Sequence, residues 1–197
     1  TNPIYTDYMF YPIGLNLAFY TLTYLNAFLS IPLQYAFNLV VATNVNLWFS
    51  FALSGYGTYL LVKYILRKTN YQLPFINLAA FVAGALYAFS SNKFLYASLG
   101  QSNIASSHWI PFYVLFLLKL TARKFSIFYG VMLGLFLLFQ ALSEFIFASF
   151  LIIFTAIYLV YWLIAKSFNS SSFIFHLSSF VRNVLPSLAI AMLTFTI

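Results

Sequence analysis

Residues 44–68 read NVNLWFSFALSGYGTYLLVKYILRK. No charge interrupts the run from Asn44 to Val62, and Lys63, Arg67 and Lys68 then close it. A helix needs about 20 mostly apolar residues to cross the hydrocarbon core of a bilayer, and this run has that length. Its flanks are also right, since basic residues at one end hold a span at the headgroup level. This stretch therefore reads as a membrane span, and its pattern recurs along the chain.

The composition agrees. Of 197 residues, 63% are apolar and 6% charged, with 25 Phe and 16 Tyr and a mean hydropathy of +0.94. A soluble domain needs roughly a quarter of its residues charged, so the composition is that of a membrane protein. The net charge of +7 does not point to nucleic acid, because nine cations scattered over so apolar a chain make no phosphate-tracking patch. The absence of Cys removes disulfides, thiol catalysis and Cys-based metal sites.

Outward from residues 44–68, further spans read as Pro74 to Phe89, His108 to Leu120, Phe125 to Leu142 and Glu144 to Ile164, with a truncated last span from Val184. Between the second and third lies a polar stretch, Ser90 to Ser107. Residues 24–41 admit two readings, a further span or a helix lying in the membrane interface and broken near Pro32. Asn26, Pro32, Gln34 and Asn38 favour the second. The expected fold is an all-α, polytopic transmembrane helix bundle of about six spans. Residues 1–43 form an outer-face loop with a membrane-parallel helix, and 44–197 form the bundle. The chain opens on Thr1 without a basic leader and stops inside the apolar run Leu185 to Ile197, so it reads as an internal piece of a larger protein.

Charge sets the orientation. If the loop after residue 66 is cytoplasmic, Lys63, Arg67, Lys68, Lys119, Arg123, Lys124, Lys166 and Arg182 all lie on that side, and of the nine cations Lys93 alone faces outward. The same alternation sends Gln101, Asn103, His108 and Glu144 to the outer face. The inner side holds the topology-setting cations, and the outer side holds the unusual polar groups.

Chemistry must come from few residues. Gly-rich phosphate loops, paired-His helix motifs and Gly-x-Ser-x-Gly are missing, and no metal-ligand spacing is present. Asp7 and Glu144 are the two carboxylates of the chain. Ionisable groups near lipid are expensive and tend to be functional. Glu144 reads as a base, a substrate-hydroxyl acceptor or a metal ligand in an outer cavity, or as a hairpin-tip charge solvated by headgroups and water. Asp7 reads as a catalytic base or as a turn cap. Lys93 suits an anionic lipid phosphate, or simply snorkels at the interface. Gln101, Asn103 and His108 offer two amides and an imidazole for a sugar or phosphate. Trp109 is either a sugar-stacking surface or part of an interfacial aromatic belt. His176 reads as part of an amphipathic surface helix, and Asn169-Ser170-Ser171 matches a glycosylation acceptor on the inner side. The Ala80, Gly84 and Ala88 stripe and the Gly130-x-x-x-Gly134 motif read as helix-contact surfaces.

The order of parts resembles a known class. The stretch Phe10-Tyr11-Pro12-Ile13-Gly14 precedes an interfacial helix, a long span ends in Leu61-Val62-Lys63-Tyr64-Ile65-Leu66-Arg67, and Gly100-Gln101-Ser102-Asn103 leads to His108-Trp109-Ile110-Pro111. This pattern resembles the N-terminal half of the GT-C polytopic glycosyltransferases, which include protein mannosyltransferases and aminoarabinose transferases acting on lipids. It is most similar to prokaryotic members in which Phe-Tyr-Pro-x-Gly and Gly-x-x-Asn stretches recur. The resemblance implies transfer of a sugar from a polyprenyl-phosphate donor to an acceptor at the extracytoplasmic face of a plasma membrane. The class carries an essential acid in the first outer loop near the end of the first span. Asp7 lies too far along that loop, so the resemblance places the acid upstream of Thr1 and makes this stretch alone inactive. Some relatives have Lys where Glu144 stands, so Glu144 takes no role from the class. No cofactor motif is present, and a divalent ion would draw ligands from outside this stretch.

Because the chain lacks Cys, the orientation is directly testable. In the full-length protein in intact cells, Leu99→Cys is expected to react with a membrane-impermeant maleimide, and Thr69→Cys only after lysis. The reverse pattern would invert the topology.

Overall fold

The computed structural model describes residues 5–7, 10–16, 23–69, 74–122, 126–168 and 180–196. Arg123, Lys124, His176 and the tripeptide Asn169-Ser170-Ser171 lie outside the described residues. The architecture is mostly helical. A two-residue antiparallel pair, β1 (Tyr5–Thr6) with β2 (Leu15–Asn16), closes the first loop, and Asp7 stands exposed in it.

The first helix, α1 (Tyr24–Ala36), is unbroken and runs through Pro32. Proline removes one backbone donor from a helix, here the one that would reach Phe28 O, but does not by itself force a stop. The long helix α2 (Leu39–Lys68) starts at Asn38, whose Oδ1 accepts from the Val41 N–H at 2.8 Å and satisfies one orphan donor of the first turn. It begins five residues before the expected span and ends with Arg67 and Lys68, which complement the negative end of the helix dipole.

Then come α3 (Ile76–Ala88), α4 (Ser91–Ser98), α5 (Ser102–Ala105), α6 (Ile110–Ala122), α7 (Ile127–Ser143) and α8 (Phe145–Phe168). A π-helical turn, Phe180–Val184, leads into α9 (Leu185–Thr196). Three stretches are long and apolar enough to cross a membrane: Ile76–Ser98, Ser102–Ala122 and Phe145–Ala165. The segment 91–98, expected as outer loop, is thus helix that prolongs an apolar stretch. The third stretch turns Ile146, Phe150, Ile153, Ile157 and Tyr161 outward, a bare apolar face at helical spacing.

The core lies among α6, α7, α8 and α9. Tyr113, Leu117 and Leu120 meet Leu133 and Leu137, Ala148 and Leu151, and Val184 and Ala191. Elsewhere small residues bring backbones together. A Cβ added at Gly84 on α3 would sit 2.5 Å from the Gly55 carbonyl oxygen of α2, whereas one added at Gly55 would meet nothing closer than Ala88 Cβ at 3.4 Å. The expected stripe is therefore a contact surface, with Ala80, Gly84 and Ala88 all buried.

This asymmetry gives a paired prediction. Gly84→Ala must separate two backbones, and overpacking of this kind costs about 1–3 kcal/mol. Gly55→Ala is expected to be neutral or to gain up to about 1 kcal/mol from helix propensity. Unfolding by graded denaturing detergent reads both, and equal effects at the two positions would contradict the packing.

Candidate functional site

The second apolar stretch, Ser102–Ala122, is not one helix. Between α5 and α6 the backbone leaves the helix at residues 106–109, and the carbonyls of Ala105, Ser106 and Ser107 lack regular α-helical partners. Non-helical backbone among apolar helices must be satisfied by protein or by an enclosed polar space. Each of the three carbonyls receives a side chain from a different helix. Ser50 Oγ of α2 donates to Ala105 O at 3.2 Å, Gln140 Nε2 of α7 to Ser106 O at 3.0 Å, and the Tyr87 hydroxyl of α3 to Ser107 O at 3.0 Å. Asn26 Nδ2 of α1 adds a bond to Ser106 Oγ at 2.6 Å, and that hydroxyl donates to Ser102 O at 2.6 Å.

Gly100 explains how the chain enters this break. Its N–H bonds Ala97 O at 3.1 Å, the Gln101 N–H bonds Tyr96 O at 2.9 Å, and Gly100 has φ +73°. This is the paired 5→2 and 6→1 closure of a helix C-terminus with glycine in the left-handed region. It ends α4 and turns the chain so that α5 carries Asn103 toward the α7–α8 junction. There Glu144 is the lone residue between the two helices. Its carboxylate is buried, with Oε2 accepting from Asn103 Nδ2 at 2.8 Å and Oε1 lying 3.4 Å from the Ile146 N–H.

Lys93, expected at the headgroup level, is 3% exposed. Its ammonium donates to Ser50 O at 3.1 Å and to Ser54 Oγ, and it stands 4.9 Å from the Phe51 ring centroid. Three donors thus face two oxygens and an aromatic ring rather than a lipid phosphate. His108 is 2% exposed, with Nδ1 3.0 Å from Ser50 Oγ. Since the Ser50 hydrogen is directed at Ala105 O, His108 Nδ1–H is the donor and Nε2 is left as an acceptor. Ser50 therefore joins Lys93, through its carbonyl, to His108 and to the helix break, through its hydroxyl.

The other expected residues divide. Asn103 belongs to the cluster through Glu144. Gln101 is exposed and contributes its backbone to the α4 stop. Trp109 is half-buried and packs on His108, Phe136 and Phe139 with ring centroids 4.7, 5.9 and 5.1 Å away, so it is a core-facing ring at the break. Asp7 makes no hydrogen bond to any of them. Among the described residues no group of three His, Asp or Glu gathers around a metal-sized space. Three buried polar atoms near the break, Trp109 Nε1, Gln140 Oε1 and Ser143 Oγ, have no partner among the described residues. Sequence reasoning missed Ser50, Gln140, Tyr87 and Asn26, whose common signal is a polar side chain inside a run long enough to span.

Two open spaces adjoin this cluster. Ser50, Ser102 and Ser106 line a polar cavity of about 210 Å³ between α1 and α2. On the other side an apolar fissure of about 590 Å³ between α2 and α3 is lined by Trp48, Phe51, Gly55, Tyr59 and Phe89. A second fissure of about 290 Å³ shares Trp48, Phe51 and Phe89 with it. No family model, curated protein or solved structure matches the chain.

The Asn103–Glu144 bond is measurable. A hydrogen bond to a charged group contributes about 1.5–3 kcal/mol. A double-mutant cycle of Asn103→Ala and Glu144→Gln is expected to return a coupling on the order of 1–3 kcal/mol. Strict additivity would mean that the two side chains do not meet.

Proposed function

We propose that this chain is part of a polytopic membrane glycosyltransferase that moves a sugar from a polyprenyl-phosphate donor to an acceptor at the outer membrane face. The observation that carries the reading is the helix break at residues 106–109, which gathers a buried carboxylate, an amide, an imidazole and a buried ammonium between a neutral polar cavity and an apolar fissure. A lipid-linked sugar has the same two halves, a hydroxyl-rich ring and a hydrocarbon chain. The resemblance to the GT-C class, drawn from the sequence, points to the same chemistry.

The steps follow the groups present. In an inverting displacement the acceptor hydroxyl attacks the anomeric carbon, its proton passes to a carboxylate, and the bond to the lipid phosphate breaks. Glu144 is the carboxylate set among hydrogen-bonding side chains, and Asn103 fixes its orientation. Lys93 is turned inward, so its contribution is the positive field it adds beside the departing phosphate rather than a contact with it. His108 Nε2 remains to accept from a sugar hydroxyl, and the amide of Gln101 to donate to a sugar or phosphate oxygen.

A second reading, a transporter, draws support from one feature: a discontinuous helix beside a buried cation is how many transporters build a site. One assay separates the two. With full-length protein in liposomes holding a polyprenyl-phosphate hexose, Glu144→Gln is expected to lower transfer at least about 100-fold. Asp7→Asn is expected to stay within about twofold of wild type, since Asp7 is exposed and outside the cluster. Wild-type transfer by Glu144→Gln would remove Glu144 from the chemistry. Absence of transfer together with counterflow of free hexose would favour the transporter.

A further inference from the structure

The cavity between α1 and α2 is lined by many polar residues, although apolar atoms make the larger part of its surface. Twelve residues line it, and nine carry neutral polar side chains while none is charged. Asn26, Ser30 and Gln34 come from α1, Thr43 and Asn46 from α2, and Ser102 from α5. Ser30, Ser50 and Ser106 are buried, Thr23, Asn26, Asn46 and Ser102 are half-buried, and Gln34 and Thr43 are exposed; polar groups taken from water are costly unless each finds a partner.

Part of that demand is met within the protein. Asn46 Nδ2 donates to Asn26 O at 2.9 Å, Gln34 Nε2 to Ser30 Oγ at 2.6 Å, and Thr43 Oγ1 to Leu39 O at 2.8 Å. These bonds spend donors. The amide oxygens of Asn26, Asn46 and Gln34, and the hydroxyls of Thr23 and Ser102, take no partner among the described residues. The surplus is three amide oxygens, one remaining N–H on each of those amides, and two hydroxyls that serve either way, so it matches a partner that both donates and accepts. It is complementary to a molecule that presents several hydroxyls and no charge. An anion would meet amide oxygens with no cation lining the space, and a cation would find no carboxylate there. The volume equals roughly seven waters, which suits one monosaccharide ring and excludes a nucleotide or a long glycan.

We infer that this cavity is a binding site for a single neutral, polyhydroxylated ring, a monosaccharide unit. None of the residues singled out from the sequence for sugar contact lines it. Its floor is Ser50, whose hydroxyl and carbonyl hold His108 and Lys93, so an occupant lies against the cluster at the helix break. The inference deepens the transferase reading by assigning the sugar a place, and it stands apart from that reading because it concerns binding alone. The same ring chemistry is offered by a lipid-linked sugar and by a soluble acceptor.

Saturation-transfer NMR on the full-length protein in phosphatidylglycerol–phosphatidylethanolamine nanodiscs tests it, with the methyl glycosides of glucose, mannose, galactose and N-acetylglucosamine as probes. At least one probe is expected to take up saturation at millimolar concentration. Ala27→Leu, which fills the cavity without touching its hydrogen bonds, is expected to lower that signal at least fivefold. Thr43→Val is expected to lower it by about threefold, reading the loss of one hydroxyl. Ser149→Ala removes a hydroxyl bonded in the same way to the carbonyl four residues earlier, but outside the cavity, and is expected to change nothing. Competition by a monohexosyl lipid added to the nanodiscs assigns the ring to the lipid-linked source, and lack of competition assigns it to the soluble one. No saturation from any probe, or equal signals from wild type and Ala27→Leu, would overturn the inference. Binding that survives in a protein without transfer activity would sink the transferase reading and leave this site standing. Transfer that Ala27→Leu leaves unchanged, with no probe bound, would do the opposite.

Discussion

Three consecutive backbone carbonyls, those of Ala105, Ser106 and Ser107, govern how this bundle is put together. They belong to a helix break inside a stretch apolar enough to cross a membrane, where water cannot be assumed and an unpaired carbonyl is expensive. Ser50, Gln140 and Tyr87 each supply one donor from a separate helix. The break is therefore fully satisfied only with α2, α3 and α7 assembled around it, although Ser107 O also meets the Ile110 N–H at 3.4 Å. The apolar core among α6 to α9 has less need of unique pairing, because packing among Leu, Phe and Ala tolerates exchange at similar volume. Hydrogen bonds to the break fix which helices meet and at what depth.

The same constraint accounts for the location of the chemical groups. A residue that satisfies the break is buried, polar and held by neighbours, and the groups it contacts inherit that position. Ser50 shows this most clearly, since one residue serves the break, the imidazole of His108 and the ammonium of Lys93. On the opposite flank Gly100 ends α4, α5 restarts two residues later, and Asn103 is thereby delivered to Glu144. The acid and the cation are each held by neutral partners.

Much of the fold was legible because bilayer length and charge asymmetry leave strong local signals. The meeting of α7 and α8 at Ser143 and Glu144 follows from uninterrupted apolar runs, although α7 begins two residues later and α8 ends four residues later than those runs, and the Gly84 stripe follows from residue size. What was not legible depends on contacts distant in sequence. Lys93 was expected outside because a lone charge beside Ser90, Ser91 and Asn92 resembles a loop, yet its partners Ser50 and Ser54 lie about forty residues upstream. Residues 91–98 form a helix for a related reason: α4 can be polar on the side that meets Ser50 and Ser54. Pro32 was a misleading stop signal, since the loss of one backbone donor does not by itself end a helix. Sequence alone offered both Asp7 and Glu144 as candidate acids, and the tertiary structure separates an exposed loop acid from a buried one.

The central claim is that side chains from separate helices satisfy the break, and deletion of one oxygen measures it most directly. Tyr87→Phe removes the hydroxyl bonded to Ser107 O and alters no other atom. The unfolding free energy in graded denaturing detergent is expected to fall by about 0.5–1.5 kcal/mol, the net contribution of one hydrogen bond, since Ser107 O keeps the Ile110 N–H at 3.4 Å. Tyr161→Phe, on the exposed face of α8, is expected to leave it unchanged. A Tyr87→Phe protein as stable as wild type would show that the break does not depend on its side-chain donors.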